Sequence, residues 1–249
     1  MDHFSQGNIN YPPQPRSDAF SDPTTQTLNP IVVGSSVLAI KYKDGVMLAA
    51  DTLASFGSLA RFRDCERLYR VGDFTVLGAS GDISDFQYTT HLLDTLVVEE
   101  YYTNDGHVLK PPNIYEYLSR LTYGKRNKFD PLLNSYVIGG FDGGEGFLGY
   151  VGHLGTSYQS STIATGIGAH IAQPILRKVV EGRENTITEE EAIQVLEDCE
   201  KILYCRDGRS LNYYQRAKIT AQGVEISGPH KVEGDWQYGV KFGKYGNFK

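Results

Sequence analysis

The stretch GSSVLAIKYKDGVMLAAD, residues 34–51, contains two apolar runs separated by a short polar turn. Lys43, Asp44 and Gly45 form that turn, and glycine there can supply a positive φ. The pattern predicts a buried β-hairpin. Ser35 stands just before the first strand and Asp51 ends the second. Because a carboxylate at the edge of a buried strand usually has a partner, we expect Asp51 to pair with an arginine or a lysine.

Apolar patterns along the rest of the chain predict strands and helices in separate groups. Further strands are predicted at 67–71, 74–80, 134–141, 146–153, 156–165, 214–221 and 224–229, and helices at 82–103, 111–126, 169–181 and 188–206. Thr188 and Glu191 form a capping box at the start of the last helix. Strands, two helices, strands, two helices and strands follow one another, which predicts an α+β fold. Two antiparallel sheets packed together, with helices on both outer faces, would cover the apolar surfaces.

The composition indicates one acidic domain. The 249 residues include 30 acidic and 24 basic side chains, a net charge of −6 without a dominant block of either sign. Since the chain has no basic stripe and no run of about 18–20 apolar residues, we expect neither nucleic acid nor a membrane as a partner. The six histidines lack metal-site spacing, so no metal or cofactor is expected. Three cysteines without paired spacing favour a reducing compartment.

The two ends of the chain differ from its central part. Residues 1–29 are polar, rich in proline and without an apolar period, so they predict a segment that cannot form a core. Residues 231–249 carry five aromatic side chains among glycines and lysines, namely Trp236, Tyr238, Phe242, Tyr245 and Phe248. Aromatic surface of this extent usually has a partner, so we expect an arm that docks on another protein.

Single residues carry little functional weight by themselves. A serine near a strand start, such as Ser35, is more often a solvated or capping hydroxyl than a nucleophile. The segment TGIGAH, residues 165–170, lacks the third glycine and the Lys-Ser or Lys-Thr of a phosphate loop. We therefore interpret it as a turn between a strand and a helix.

Several motifs in consistent order give the chain a specific resemblance. GSSVLAIKY, FGSLARFR, ERLYRVGD, VLGASGDISDFQ, ATGIGAH and LYCRDGRS, taken together, resemble the β-type subunits of the 20S proteasome core. The match runs from about Thr27 to the end of the chain, and it is closest to a non-catalytic β-type member. The resemblance implies a four-layer α-β-β-α sandwich of the N-terminal-nucleophile hydrolase type.

The resemblance also assigns a catalytic site, and this chain departs from it. Active members expose a threonine whose free α-amine accepts the hydroxyl proton, next to a lysine held by an aspartate. Here Ser35 stands at the nucleophile position, Asp51 at that of the aspartate, and Asp207 and Ser210 at two further site positions. Arg67 replaces the lysine. Because arginine keeps its proton and has a wider, planar head group, we expect no catalytic residue here, only degenerate positions.

Self-cleavage after Gly34 should fail for the same reason. The resemblance implies that a neighbouring active subunit removes a prosegment, residues 1–26, by cutting before Thr27, with Thr25 as an alternative. Residues 27–34 would then lie across the degenerate cleft. The hydrolase domain would span 27–230, and an arm, 231–249, would dock on neighbouring subunits.

The expected function is a non-catalytic structural subunit. The resemblance implies α-type and β-type partners in a 28-subunit stack of rings, contact with the opposite β ring through the arm, and a location in cytoplasm and nucleus. An active peptidase that uses Ser35 is the alternative, and a free-standing amidase is a third reading. A mature chain that starts at Ser35 would favour the peptidase, and one that starts at Thr27 the structural subunit.

Overall fold

A computed structural model describes residues 31–234. The strands are β1 (Val32–Gly34), β2 (Val37–Tyr42), β3 (Gly45–Asp51), β4 (Ala54–Phe56), β5 (Leu59–Phe62), β6 (Leu68–Val71), β7 (Thr75–Asp82), β8 (Asn134–Asp142), β9 (Glu145–Val151), β10 (Ser157–Gln159), β11 (Thr162–Ala164), β12 (Tyr213–Thr220) and β13 (Gly223–Lys231). The helices are α1 (Ile83–Thr103), α2 (Pro111–Asn127), α3 (Gly168–Ile171), α4 (Gln173–Val180) and α5 (Glu189–Arg206). The predicted cleavage position Thr27 and the aromatic residues of the predicted arm lie outside the described residues.

The strands form two antiparallel sheets. One sheet has the order β10-β9-β8-β7-β1-β4-β5, with β6 also paired to β7, and the other has the order β11-β2-β3-β12-β13. The hairpin predicted at 34–51 is β2 and β3, at the centre of the second sheet. The two antiparallel sheets, and helices that follow the strands in separate groups along the chain, agree with the predicted α+β fold.

Three apolar clusters connect four layers. One cluster lies between the second sheet and helices α4 and α5, one between the two sheets, and one between the first sheet and helices α1 and α2. The sheets approach closely where glycine faces a large side chain, because a Cβ on Gly139 would lie 2.4 Å from Cδ1 of Leu48. The four-layer α-β-β-α sandwich is therefore confirmed.

Gly45 has the positive φ that the sequence predicts for the hairpin turn, 158°, a value that L side chains rarely adopt. Packing adds a second requirement for glycine at this position. A Cβ at this position would lie 2.0 Å from the carbonyl oxygen of Ile219 on β12. Close packing of β12 against the start of β3 therefore excludes any larger residue.

Two predicted elements are each divided in the structure. The strand predicted at 156–165 is β10, paired with β9, and β11, paired with β2, so the chain crosses between the sheets here. The helix predicted at 169–181 is α3 and α4, with a break at Ala172. Pro174 has no amide hydrogen to donate back into α3, which explains the break. The strands β1, β4 and β5 are absent from the sequence prediction.

The starts of two helices and the turn within residues 165–170 agree with the prediction. The Asp82 carboxylate caps α1 by accepting from the amide nitrogens of Ser84 and Asp85, at 2.8 and 3.2 Å. Thr188 and Glu191 form the expected capping box at α5. The predicted turn between β11 and α3 comprises residues 165–167, and residues 168–170 already belong to α3. Within residues 31–234, none of the helices is long and apolar enough to cross a membrane.

Candidate functional site

Ser35 lies between two strands of different sheets, after β1 and before β2. It is half-buried, and its Oγ donates a hydrogen bond to Oδ2 of Asp207 at the end of α5. The strand β1 that precedes it is paired on one side with β4 and on the other with β7. The chain leading to Ser35 is therefore an internal strand of the first sheet.

Arg67 is the most completely buried charged side chain near Ser35, with an exposed fraction of 0%. Its Nε donates to the carbonyl oxygen of Asp51 at 2.9 Å. Nη1 donates to the carbonyl oxygens of Ser35 and Ala79, at 3.1 and 3.3 Å. Nη2 donates to the carbonyl oxygen of Ser36 at 2.9 Å and to the carboxylate of Asp51. All five N–H groups of the guanidinium are thus engaged, which satisfies the donor capacity of arginine.

The predicted partner of Asp51 is therefore Arg67. The second carboxylate oxygen of Asp51 accepts from the amide nitrogen of Leu211 at 3.0 Å. Burial raises the pKa of Asp51, while the Arg67 guanidinium and the Leu211 amide oppose that rise. Since arginine cannot release its proton, only an ionised Asp51 balances the charge of this buried pair.

Gly34 provides the space that Arg67 occupies. A Cβ at this position would lie 2.4 Å from Cδ of Arg67, which is too close for two packed carbon atoms. Gly34 is also held in the sheet, opposite Ala54 on β4 and Gly81 on β7. The arginine side chain is therefore packed directly against the backbone on which self-cleavage would act.

Asp207 and Ser210 have separate roles in this geometry. Asp207 follows the last residue of α5, and its Oδ1 accepts from the amide nitrogen of Arg209 at 2.8 Å. The Ser210 hydroxyl donates to the carbonyl oxygens of Leu203 and Asp207, at 3.2 and 2.9 Å. The structure thus brings Ser35 and Asp207 together, whereas the Ser210 hydroxyl supports the turn after α5.

A cavity of about 650 Å³ opens beside Ser35. Val33, Gly34 and Ser35 form one wall, and the residues after α5 form another. Its remaining lining includes Ser55, Ser80, Gly81, Asn134, Ser135, His153, Gly166 and Ile167. Within residues 31–234, no three His, Cys, Asp or Glu side chains are grouped in a way that could hold a metal ion.

Glu200 is a buried acidic residue near this site that the sequence analysis missed. It is 5% exposed, and its Oε1 has no hydrogen-bond partner among the described residues. Burial, with a smaller contribution from the charge of Asp51, raises its pKa to about 8, and Arg67 acts in the opposite direction. Its position four residues after Leu196 places it on the apolar face of α5, a signal that was available in the sequence.

Comparison with known proteins agrees with the fold. The model of the family described as "Proteasome subunit" matches residues 31–219. The chain belongs to the proteasome subunit family.

Relatives within this family match over most of their length. The chain is 48% identical over 215 residues to "Proteasome subunit beta type-4" of Xenopus laevis, covering 86% of this chain and 88% of the relative. It is 45% identical over 227 residues to "Probable proteasome subunit beta type-7" of Schizosaccharomyces pombe, covering 90% and 87%. A beta type-4 subunit of Dictyostelium discoideum is 42% identical over 233 residues, covering 94% and 88%. The resemblance to β-type proteasome subunits is therefore confirmed.

Proposed function

We propose that this chain is a non-catalytic, structural β-type subunit of the 20S proteasome core particle. The observation that supports this proposal most strongly is the complete use of Arg67 in structural hydrogen bonds. A proton-transfer group must gain and lose a proton near neutral pH, and a buried guanidinium that donates five bonds does neither. Arg67 holds the backbone around Ser35 and pairs with Asp51, so this ion pair is structural.

The hydroxyl of Ser35 has no suitable base. An intact peptide bond before Ser35 removes the basic lone pair that a free α-amine would provide. Asp207 accepts the Ser35 hydrogen bond, but a carboxylate is a weak base toward a hydroxyl. Loss of a positioned proton-transfer partner typically lowers the rate by about 10²–10⁴. The site therefore favours a subunit that does not cleave peptides.

Incorporation into the particle completes the proposal. By family membership, its partners are other proteasome subunits, in a 28-subunit stack of α and β rings. Residues 1–26 are removed by a cut before Thr27, or alternatively before Thr25, residues 27–230 form the hydrolase-type domain, and the arm 231–249 docks on the opposite β ring. The location is cytoplasm and nucleus. Paired β1 supports a structural role for the residues that remain upstream of Ser35.

Sequencing of the mature N-terminus in purified particles tests this function. We expect a start at Thr27 and no covalent adduct on Ser35 after treatment with an epoxyketone-type or lactone-type inhibitor. Threonine-type subunits in the same particles provide the positive control, because they should be labelled. A start at Ser35 together with a labelled serine would establish the alternative, an active serine-nucleophile peptidase.

Ser35→Ala should leave the peptidase activities of the particle within about twofold of wild type, since the hydroxyl is not expected to take part in a chemical step. Fluorogenic peptide hydrolysis by particles in which the variant is the only copy of this chain measures the effect. The amount of assembled particle, read from a native gel, controls for folding. Loss of one activity class at unchanged particle amount would contradict the proposal.

A further inference from the structure

Phe129 combines two features that seldom occur together in a folded protein. Its φ of 57° lies in the left-handed region, and its side chain is 88% exposed. A phenylalanine in this conformation costs free energy relative to glycine. Burial of the ring within residues 31–234 does not offset that cost, because the ring lies almost wholly in solvent.

The backbone around Phe129 forms a Schellman motif at the end of α2. The Phe129 amide nitrogen donates to the carbonyl oxygen of Arg126, and that of Asp130 donates to the carbonyl oxygen of Lys125, both at 3.1 Å. The residue at the left-handed position of this motif is usually glycine and sometimes asparagine. This chain therefore places a large apolar ring at a position where the motif favours a small residue.

Contacts on both sides hold the backbone at Phe129. Lys125 Nζ donates to the Asp130 carboxylate at 2.9 Å, which closes the loop across Phe129. After Pro131, the amide nitrogen of Leu133 donates to Asp85 Oδ2 on α1 at 2.8 Å. Since the backbone is held and the aromatic side chain has only two χ angles, Phe129 would lose little conformational entropy on binding.

Two cations in the last turn of α2 lie against tyrosine rings, one on α1 and one on α2. Lys125 lies 5.4 Å from the ring centre of Tyr88, and Arg126 lies 5.9 Å from that of Tyr123. Both tyrosines are about half exposed. Among residues 31–234, neither Arg126 nor Lys128 forms an ion pair, so two positive charges beside Phe129 are available to a partner.

We infer that Phe129 is an interface anchor that enters an apolar socket, edged by carboxylates, on a neighbouring subunit of the proteasome particle. This inference rests on the proposed incorporation of the chain into that particle. Arg126 and Lys128 would pair with the carboxylates at the edge of the socket, while Tyr88 and Tyr123 supply aromatic surface around it. The interface would then offset the conformational cost at Phe129.

A competition experiment tests the anchor. Wild-type chain and Phe129→Gly, carrying different tags, are expressed together at equal levels, and their ratio is measured in purified particles. Because truncation of an interface anchor typically weakens association by about tenfold or more, wild type should exceed the variant by that factor. Glycine suits the left-handed conformation, so soluble full-length chain should not decrease. Phe129→Asn, which also tolerates that conformation, should give the same ratio.

Tyr102→Ala is the matched control. Tyr102 is 80% exposed, has helical geometry near the end of α1, and lies fourteen residues, about 21 Å along the helix, from Tyr88. This control should be incorporated in equal amount with wild type. Equal incorporation of Phe129→Gly and Phe129→Asn would overturn the anchor while leaving the proposed function intact. Absence of the wild-type chain from particles would instead overturn both proposals.

Discussion

Replacement of Arg67 by alanine is expected to lower the free energy of unfolding by about 3–5 kcal/mol, because the Asp51 carboxylate would remain buried without its counter-ion. The carbonyl oxygens of Ser35, Ser36 and Ala79 would lose a donor at the same time. Urea denaturation of the full-length chain, followed by far-ultraviolet circular dichroism, measures the change. An effect of this size would reduce the amount of folded chain in cells as well.

Arg70→Ala provides a control for the loss of an arginine three residues further along the chain, on β6. Arg70 pairs with Asp73, but both side chains are at least half exposed, so the expected change is below about 1 kcal/mol. Arg67→Lys should lie between the two variants, since it keeps the charge but not the planar fork. If Arg67→Ala and Arg70→Ala unfold at the same urea concentration, the buried ion pair does not have the structural role assigned to it.

Arg67 can make more hydrogen bonds in this site than a lysine at the same position could make. A lysine at position 67 would offer three donors from one nitrogen, whereas arginine offers five from a planar group. The additional donors reach backbone carbonyls on three segments, at Ser35–Ser36, Asp51 and Ala79. Arginine at position 67 therefore connects both sheets through its backbone acceptors.

Local patterns in the sequence were sufficient for much of the fold. The hairpin β2–β3 and the helices α1, α2 and α5 have strong apolar periods and clear caps or turns. The order in which groups of strands and groups of helices follow one another then predicted the two-sheet sandwich, because each sheet and helix has an apolar face that another layer must cover. These features depend on residues close together in the chain, which is why sequence reasoning could find them.

The missed strands depend on partners that are distant in the chain. β1 has three residues, and its pairing with β7 joins Val33 to Asp82 and Gly34 to Gly81. β5 is exposed along its whole length and has the sequence LARF, in which apolar and polar residues do not alternate. The sequence therefore carries no strand signal here. The division of 156–165 between two sheets likewise depends on β9 and β2 rather than on the local sequence.

The sequence predicted most of the residues that lie together in the candidate site, but not the hydrogen bonds between them. The expected pairing of Asp51 with Arg67 is present, and Ser35 lies next to Asp207. The sequence did not indicate that every donor of Arg67 would be used, because four of its five acceptors are backbone carbonyls brought together by the fold. Glu200 was missed because glutamate side chains are mostly exposed in proteins, whereas the packing of α5 buries this one.

Glu200→Met is expected to raise the free energy of unfolding by about 3 kcal/mol near neutral pH. The pKa of Glu200 is raised to about 8 in the folded chain, from an ordinary value of 4.5. Between these values the unfolded chain binds fewer protons than the folded chain, so this group makes the protein less stable as pH rises. Each pH unit in that range corresponds to about 1.4 kcal/mol. Methionine has a similar length and no charge to desolvate.

Urea denaturation of wild type and Glu200→Met between about pH 5 and about pH 8 measures this dependence. The advantage of the variant should be small at the acidic end, where Glu200 is protonated in both states, and should grow toward the basic end. Asp198→Asn is the control, because Asp198 is exposed on the same helix and accepts a hydrogen bond from Gln194 that asparagine can keep. A pH-independent difference between wild type and Glu200→Met would show that packing, and not the proton held at Glu200, limits stability beside the Arg67–Asp51 pair.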